Sequence, residues 1–66
     1  MPVASVSEIT ATSTDSFDDA IRQGVQRANQ TLRNVQAAWV KDQEVRLQDG
    51  QISDYKVSLK VTFVLD

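Results

Sequence analysis

Asp49-Gly50, followed by Tyr55-Lys56-Val57-Ser58-Leu59-Lys60-Val61-Thr62-Phe63-Val64-Leu65, is the stretch that decides the fold. Asp-Gly is a favoured pair for a two-residue type I′ turn, because both positions need positive φ. After it, Tyr55, Val57, Leu59, Val61, Phe63 and Leu65 fall on every second position, with Lys56, Ser58, Lys60 and Thr62 between them. A period of two puts one set on each face of a strand. The reading is a long strand with one buried face, returning from a tight hairpin.

Its partner in the hairpin reads as a strand over 35–48. Val35, Ala37, Trp39, Val45 and Leu47 share one parity there, and Ala38 and Val40 share the other. The apolar side therefore changes near 40–44, as a bulge would produce. Upstream, Phe17, Ala20, Ile21, Val25, Ala28 and Leu32 recur at three- and four-residue spacing, the stripe of an amphipathic helix over about 16–33. Ser16 with Asp19 resembles a capping box, and Asp15, Asp18 and Asp19 suit the positive end of the helix dipole. Gly24 lies within the stripe and costs roughly 1 kcal/mol relative to Ala; a close helix–sheet approach or simple tolerance would account for it. Residues 3–10, β-branched and small, read as a first strand, and 11–16 as a polar break. The expected fold class is α+β: β-α-β-β, with a three-stranded antiparallel sheet around one helix, in a single domain over 1–66.

A chain of 66 residues buries only about 60% of its unfolded surface, so a solitary core is marginal. With no Cys and no His, disulfides and the usual zinc sites are excluded, along with the commonest general base. Oligomerisation is the remaining means of stabilisation, and the two edges of a three-stranded sheet invite it. The net charge of −2, from nine carboxylates against seven Lys and Arg, shows no basic stripe for nucleic acid. No apolar run reaches the roughly 18 residues that span a bilayer. Met1-Pro2-Val3-Ala4 does not have the pattern of a secretory signal, so the expected setting is cytoplasmic, without membrane or nucleic-acid partners. The Asn29-Gln30-Thr31 sequon falls within the expected helix and carries no weight. Without a nucleophile–base pair or a Gly-rich phosphate loop, the chain does not read as an enzyme.

These residues resemble the dodecin family. The likeness runs through Ser16-Phe17-Asp18-Asp19-Ala20-Ile21, Ala28-Asn29-Gln30-Thr31-Leu32-Arg33-Asn34, Asp49-Gly50 and the final Tyr-x-Val-x-Leu-x-Val-x-Phe-x-Leu ribbon. The resemblance implies a hollow homo-dodecamer of cubic symmetry that binds a small ligand without catalysing, with flavin (riboflavin or FMN) stored or quenched at subunit interfaces. Flavin-binding members carry Trp-Phe-Glu-Val after the helix, the Trp stacking on the ring, and a Gln after the Tyr of the last strand. In an ungapped alignment the Trp position is Ala37 and the Gln position is Lys56; the tryptophan here is Trp39, one strand period further on. Trp39, Ala37 and Lys56 are thus the candidate flavin-site residues by family position. Trp39 is a displaced stacking platform or an interface anchor. Lys56 contacts a ligand phosphate or pairs across strands. Asp42 and Glu44 are candidate calcium ligands, as in calcium-binding variants of the family, or form intersubunit salt bridges with Arg46, Lys41 or Arg33. The alternative to the flavin reading is a flavin-free structural or calcium-binding assembly.

Overall fold

The computed structural model describes residues 3–65. Four elements follow in order: β1 (Val3–Ser13), α1 (Phe17–Thr31), β2 (Val35–Gln48) and β3 (Gln51–Leu65). They form one antiparallel sheet of order β1-β3-β2, so the alternating ribbon is the central strand and both its neighbours are edges. Asp49 (φ 53°) and Gly50 (φ 80°) take the left-handed conformation a type I′ turn demands.

β1 continues three residues beyond the expected boundary, through Ala11, Thr12 and Ser13, which pair with Val57, Lys56 and Tyr55. Their polar character suggested a break. Pairing with β3 satisfies the backbone groups that face it, and tertiary context outweighs composition. The helix is correspondingly shorter than 16–33. Ser16 caps it in an extended conformation (φ −169°), its Oγ accepting from the Asp19 N–H at 3.0 Å. The reciprocal half of the capping box does not form. Asp19 Oδ2 instead accepts from Ser13 Oγ at 2.6 Å and from Gln23 Nε2 at 2.6 Å, while Ser13 Oγ accepts from the Asp15 and Ser16 N–H groups. The buried Ser13 hydroxyl is therefore the hub that ties the end of β1 to the start of α1.

α1 presents small residues to the sheet. Ala20, Gly24 and Ala28 are buried at four-residue intervals, against Val57, Leu59 and Val61 of β3, which are fully buried. A Cβ on Gly24 would stand 2.7 Å from Leu59 Cδ1 and 3.4 Å from Ala11 Cβ. The close approach accounts for the glycine. Ile9, Ala11, Phe17, Ile21, Leu32, Val35 and Val40 pack around this centre. Phe17 meets Tyr55 edge-on, with ring centroids 5.1 Å apart. At the other end Asn34, in the left-handed region (φ 61°), clasps β3: Val64 N–H donates to Asn34 O at 3.0 Å and Asn34 Nδ2 donates to Val64 O at 3.3 Å.

β2 departs from a regular ladder at three places, between Val35 and Ala37, Val40 and Asp42, and Arg46 and Leu47. The second is the bulge the parity change in the sequence implied.

Candidate functional site

The register assigns each residue of the sheet to a face, since directly opposed residues share one. Val57, Leu59 and Val61 mark the helix side. Lys56, Ser58, Lys60 and Thr62 therefore lie on the other, and with them their partners on β2, which are Glu44, Asp42, Trp39 and Ala37 respectively. All five candidate residues, Ala37, Trp39, Asp42, Glu44 and Lys56, thus share the face turned away from the helix. β1 adds Val6, Glu8, Thr10 and Thr12 to the same rows.

Two compensating bulges bring this about. A bulge-free ladder counted back from the Asp49-Gly50 turn would set Glu44 opposite Tyr55 and Asp42 opposite Val57, on the helix side. Ser53 is the extra residue on β3 and Lys41 the extra residue on β2. Between them every side chain changes face, so Glu44 meets Lys56 and Asp42 meets Ser58, while Val45 turns to the helix side opposite Tyr55.

The face runs from apolar to ionic along the strands. Val6, Thr62 and Ala37 form one row. Glu8, Lys60 and Trp39 form the next, then Thr10, Ser58 and Asp42, then Thr12, Lys56 and Glu44. Three of its cations have carboxylate partners. Lys56 Nζ lies 3.5 Å from Glu44 Oε1, and Lys41 Nζ 3.5 Å from Glu8 Oε2. The Arg46 guanidinium holds Asp54 with two contacts, at 2.7 and 2.5 Å. That fork lowers the Asp54 carboxyl below its ordinary pKa by hydrogen bonding and raises the Arg46 guanidinium above its own. Within the chain, Glu44 pairs with Lys56, directly across the ladder.

Trp39 is 63% exposed. The Lys60 ammonium sits 5.4 Å from its ring centroid, within the range of a cation–π contact. Lys60 was not among the residues singled out from the sequence, although pairing Trp39 with it needs only a count back from the turn, the two bulges cancelling by that point. Among the described residues no group of three or more carboxylates, Cys or His could hold a metal ion. Asp42 and Glu44 bring two carboxylates to one face, of the six to eight oxygens that calcium takes. Separately, a groove of about 450 Å³ runs between α1 and the β1 edge, lined by Ile9, Gly24, Arg27, Ala28 and Leu32 among others. No candidate residue borders it. Among the described residues no helix is long and apolar enough to cross a membrane.

Comparison with known proteins yields a consistent set. The dodecin family model matches residues 3–66. Among solved structures, a dodecin from Streptomyces davaonensis is 42% identical, with TM-score 0.92 over 98% of this chain and 96% of that one. A dodecin from Streptomyces coelicolor is 37% identical, with TM-score 0.92 over 98% and 93% of the two chains. An arginine-to-alanine mutant of a Thermus thermophilus dodecin is 29% identical, with TM-score 0.93 over 100% and 98%. Among curated protein sequences no significant match is found.

Proposed function

Because this chain belongs to the dodecin family, we propose that it is a non-catalytic, self-assembling homo-dodecamer that binds or sequesters a flat small molecule, flavin (riboflavin or FMN) being the family default. The observation that carries this reading is Trp39. A large aromatic ring stands exposed on the sheet face that also holds Ala37 and Lys56, the positions aligned with the family's stacking Trp and ring-edge Gln. An exposed indole braced by Lys60 is a platform on which a second aromatic ring stacks.

Trp39 takes over the stacking role in this reading. Ala37 leaves open the space that a tryptophan would fill. Lys56, engaged by Glu44, replaces an amide that both donates and accepts with a group that only donates, so the ring edge must be held differently from other members. The second reading is a flavin-free structural or calcium-binding assembly, and the Glu44–Lys56 ion pair favours its structural form. Glu44 and Lys56 neutralise one another, as in a solvated, structural face. The chain is a single domain and its proposed setting is the cytoplasm.

A native mass spectrum of the purified protein tests this reading, followed by addition of riboflavin and of FMN. A twelve-subunit ion gaining flavin masses, with quenching of Trp39 fluorescence, supports flavin binding. A twelve-subunit ion that stays bare in excess flavin leaves the structural or calcium assembly. A monomer sinks both.

A further inference from the structure

The apolar row beside Trp39 has a shape of its own. Val6, Thr62 and Ala37 lie side by side on three adjacent strands. Val6 is 57% exposed, Ala37 is exposed and Thr62 half-buried. Strands are spaced about 4.8 Å apart, so the row is a shelf about 10 Å across, the length of three fused aromatic rings. Ala37 keeps it low at the β2 end, and Trp39 stands one strand period away, about 6–7 Å along β2.

Polarity differs on the two sides of the Trp39 row. Towards the turn, the next row is Thr10, Ser58 and Asp42, and it carries a carboxylate. Away from the turn lies the shelf, followed by Ala4 and Val64. Lys60 closes the shelf in the middle strand. Unlike Lys41, Lys56 and Arg46, it makes no ion pair among the described residues, its contact being the Trp39 ring.

We propose that the ligand's ring system lies on the Val6–Thr62–Ala37 shelf against Trp39, with an edge rich in hydrogen-bond acceptors, or an anionic group, turned towards Lys60. The ligand class is a flat aromatic of about three-ring length, apolar on its faces and accepting along one edge. This rests on the flavin-class reading above and adds Val6, Thr62 and Lys60 to the site. Lys60 supplies donors where an acceptor edge needs them, and the shelf supplies apolar area that water otherwise covers.

The test compares two variants on the same edge strand, Val6→Glu on the shelf and Thr10→Glu four residues further along, on the same face and across the Trp39 row. Each is titrated with riboflavin and with FMN by Trp39 fluorescence, and its mass is read under native conditions. Val6→Glu sets a carboxylate under the ring and beside Lys60. Affinity should fall by at least about tenfold in that variant, with the assembly mass unchanged, because a desolvated carboxylate faces the ring. Thr10→Glu should bind as the wild type does. Equal affinity in the two variants overturns the shelf while leaving flavin binding intact. Loss of the assembly in Val6→Glu alone also overturns it, making the shelf a contact between copies. If the wild type binds neither flavin, the functional reading fails first and the shelf with it.

Discussion

Lys60 and Trp39 set the character of the proposed site at the scale of single residues. Their contact, 5.4 Å from ammonium to ring centroid, is worth about 0.5–1 kcal/mol at an exposed position. Lys60→Met keeps the aliphatic stem and removes the charge. We expect it to cost that much in urea stability at most, and to shift the Trp39 emission maximum, since the nearest cation leaves the indole. An unchanged spectrum would mean that the two side chains do not meet in solution. Ser13 matters more to stability. Its hydroxyl donates to Asp19 and accepts from the Asp15 and Ser16 N–H groups, so Ser13→Ala should cost about 1–3 kcal/mol, measured by denaturant unfolding.

Asp19 carries a pH signature. The Ser13 hydroxyl, then the Gln23 amide, then the charge of Arg22 hold its carboxyl below the ordinary value. The folded pKa is lower than the unfolded one of about 3.9, so the stabilising effect is fully present above about pH 4–5 and is lost as pH falls through the folded value. Urea midpoints taken from neutral pH down to about pH 3 should fall less steeply in Asp19→Asn than in the wild type. Parallel slopes would remove Asp19 from the acid response and leave it to other groups, Asp54 among them.

The decisive feature at the scale of elements is how α1 sits on β3. Ala20, Gly24 and Ala28 bring the helix close enough that Leu59 Cδ1 occupies the space of a Cβ on Gly24. Gly24→Ala gains about 1 kcal/mol of helix propensity but overpacks a filled core at about 1–3 kcal/mol. The net expectation is destabilisation. Leu59 is fully buried and cannot swing into solvent, so its shortening should relieve the clash. A double-mutant cycle of Gly24→Ala with Leu59→Val checks this, with favourable coupling expected; simple additivity would show that the leucine rotates away without cost.

The edge strands also differ as elements. β1 pairs with β3 over eleven residues without interruption. The β2 ladder is broken three times, which twists and disrupts that edge as a docking surface.

At the scale of the whole molecule, the chain is more extended than a compact domain of its length. Its principal dimension is 51 Å and its radius of gyration 13.5 Å, against about 10.8 Å for a compact domain of this length. Its accessible surface is 4785 Å², where a compact monomer of this mass exposes about 4,200 Å². The excess, about 600 Å², approaches the roughly 800 Å² that one partner contributes to a standard interface. The cause is a mismatch of lengths. A 15-residue helix spans about 22 Å, while a 15-residue strand spans about 50 Å. Beyond the Phe17–Tyr55 contact the hairpin projects uncovered, exposing Leu47 at 62% and Ile52 at 51%. If the proposed dodecamer covers this surface, Leu47→Asp with Ile52→Asp should lower the native mass to smaller species. An undiminished assembly would place the intersubunit contacts elsewhere on the chain.

Much of this was legible in the sequence. The alternation in 55–65 and Asp49-Gly50 determine the central strand and its turn, because period and positive φ are local properties. The spacing of Phe17, Ala20, Ile21, Ala28 and Leu32 determines the helix for the same reason, and the ribbon together with the Thr31-Leu32-Arg33-Asn34 segment carries the family. The extension of β1 through Ser13 was not legible, since those polar residues are held by pairing and by Asp19, six residues away. Nor was the sharing of one face by Ala37, Trp39, Asp42, Glu44 and Lys56. A parity change announced one bulge, but face assignment between 42 and 45 depends on two, at Lys41 and Ser53, on different strands. Bulges are settled by how strands twist and pack over a helix, and only the tertiary structure fixes their number and place. That is why Lys60, and the apolar row of Val6, Thr62 and Ala37, emerge as neighbours of Trp39 in the folded chain.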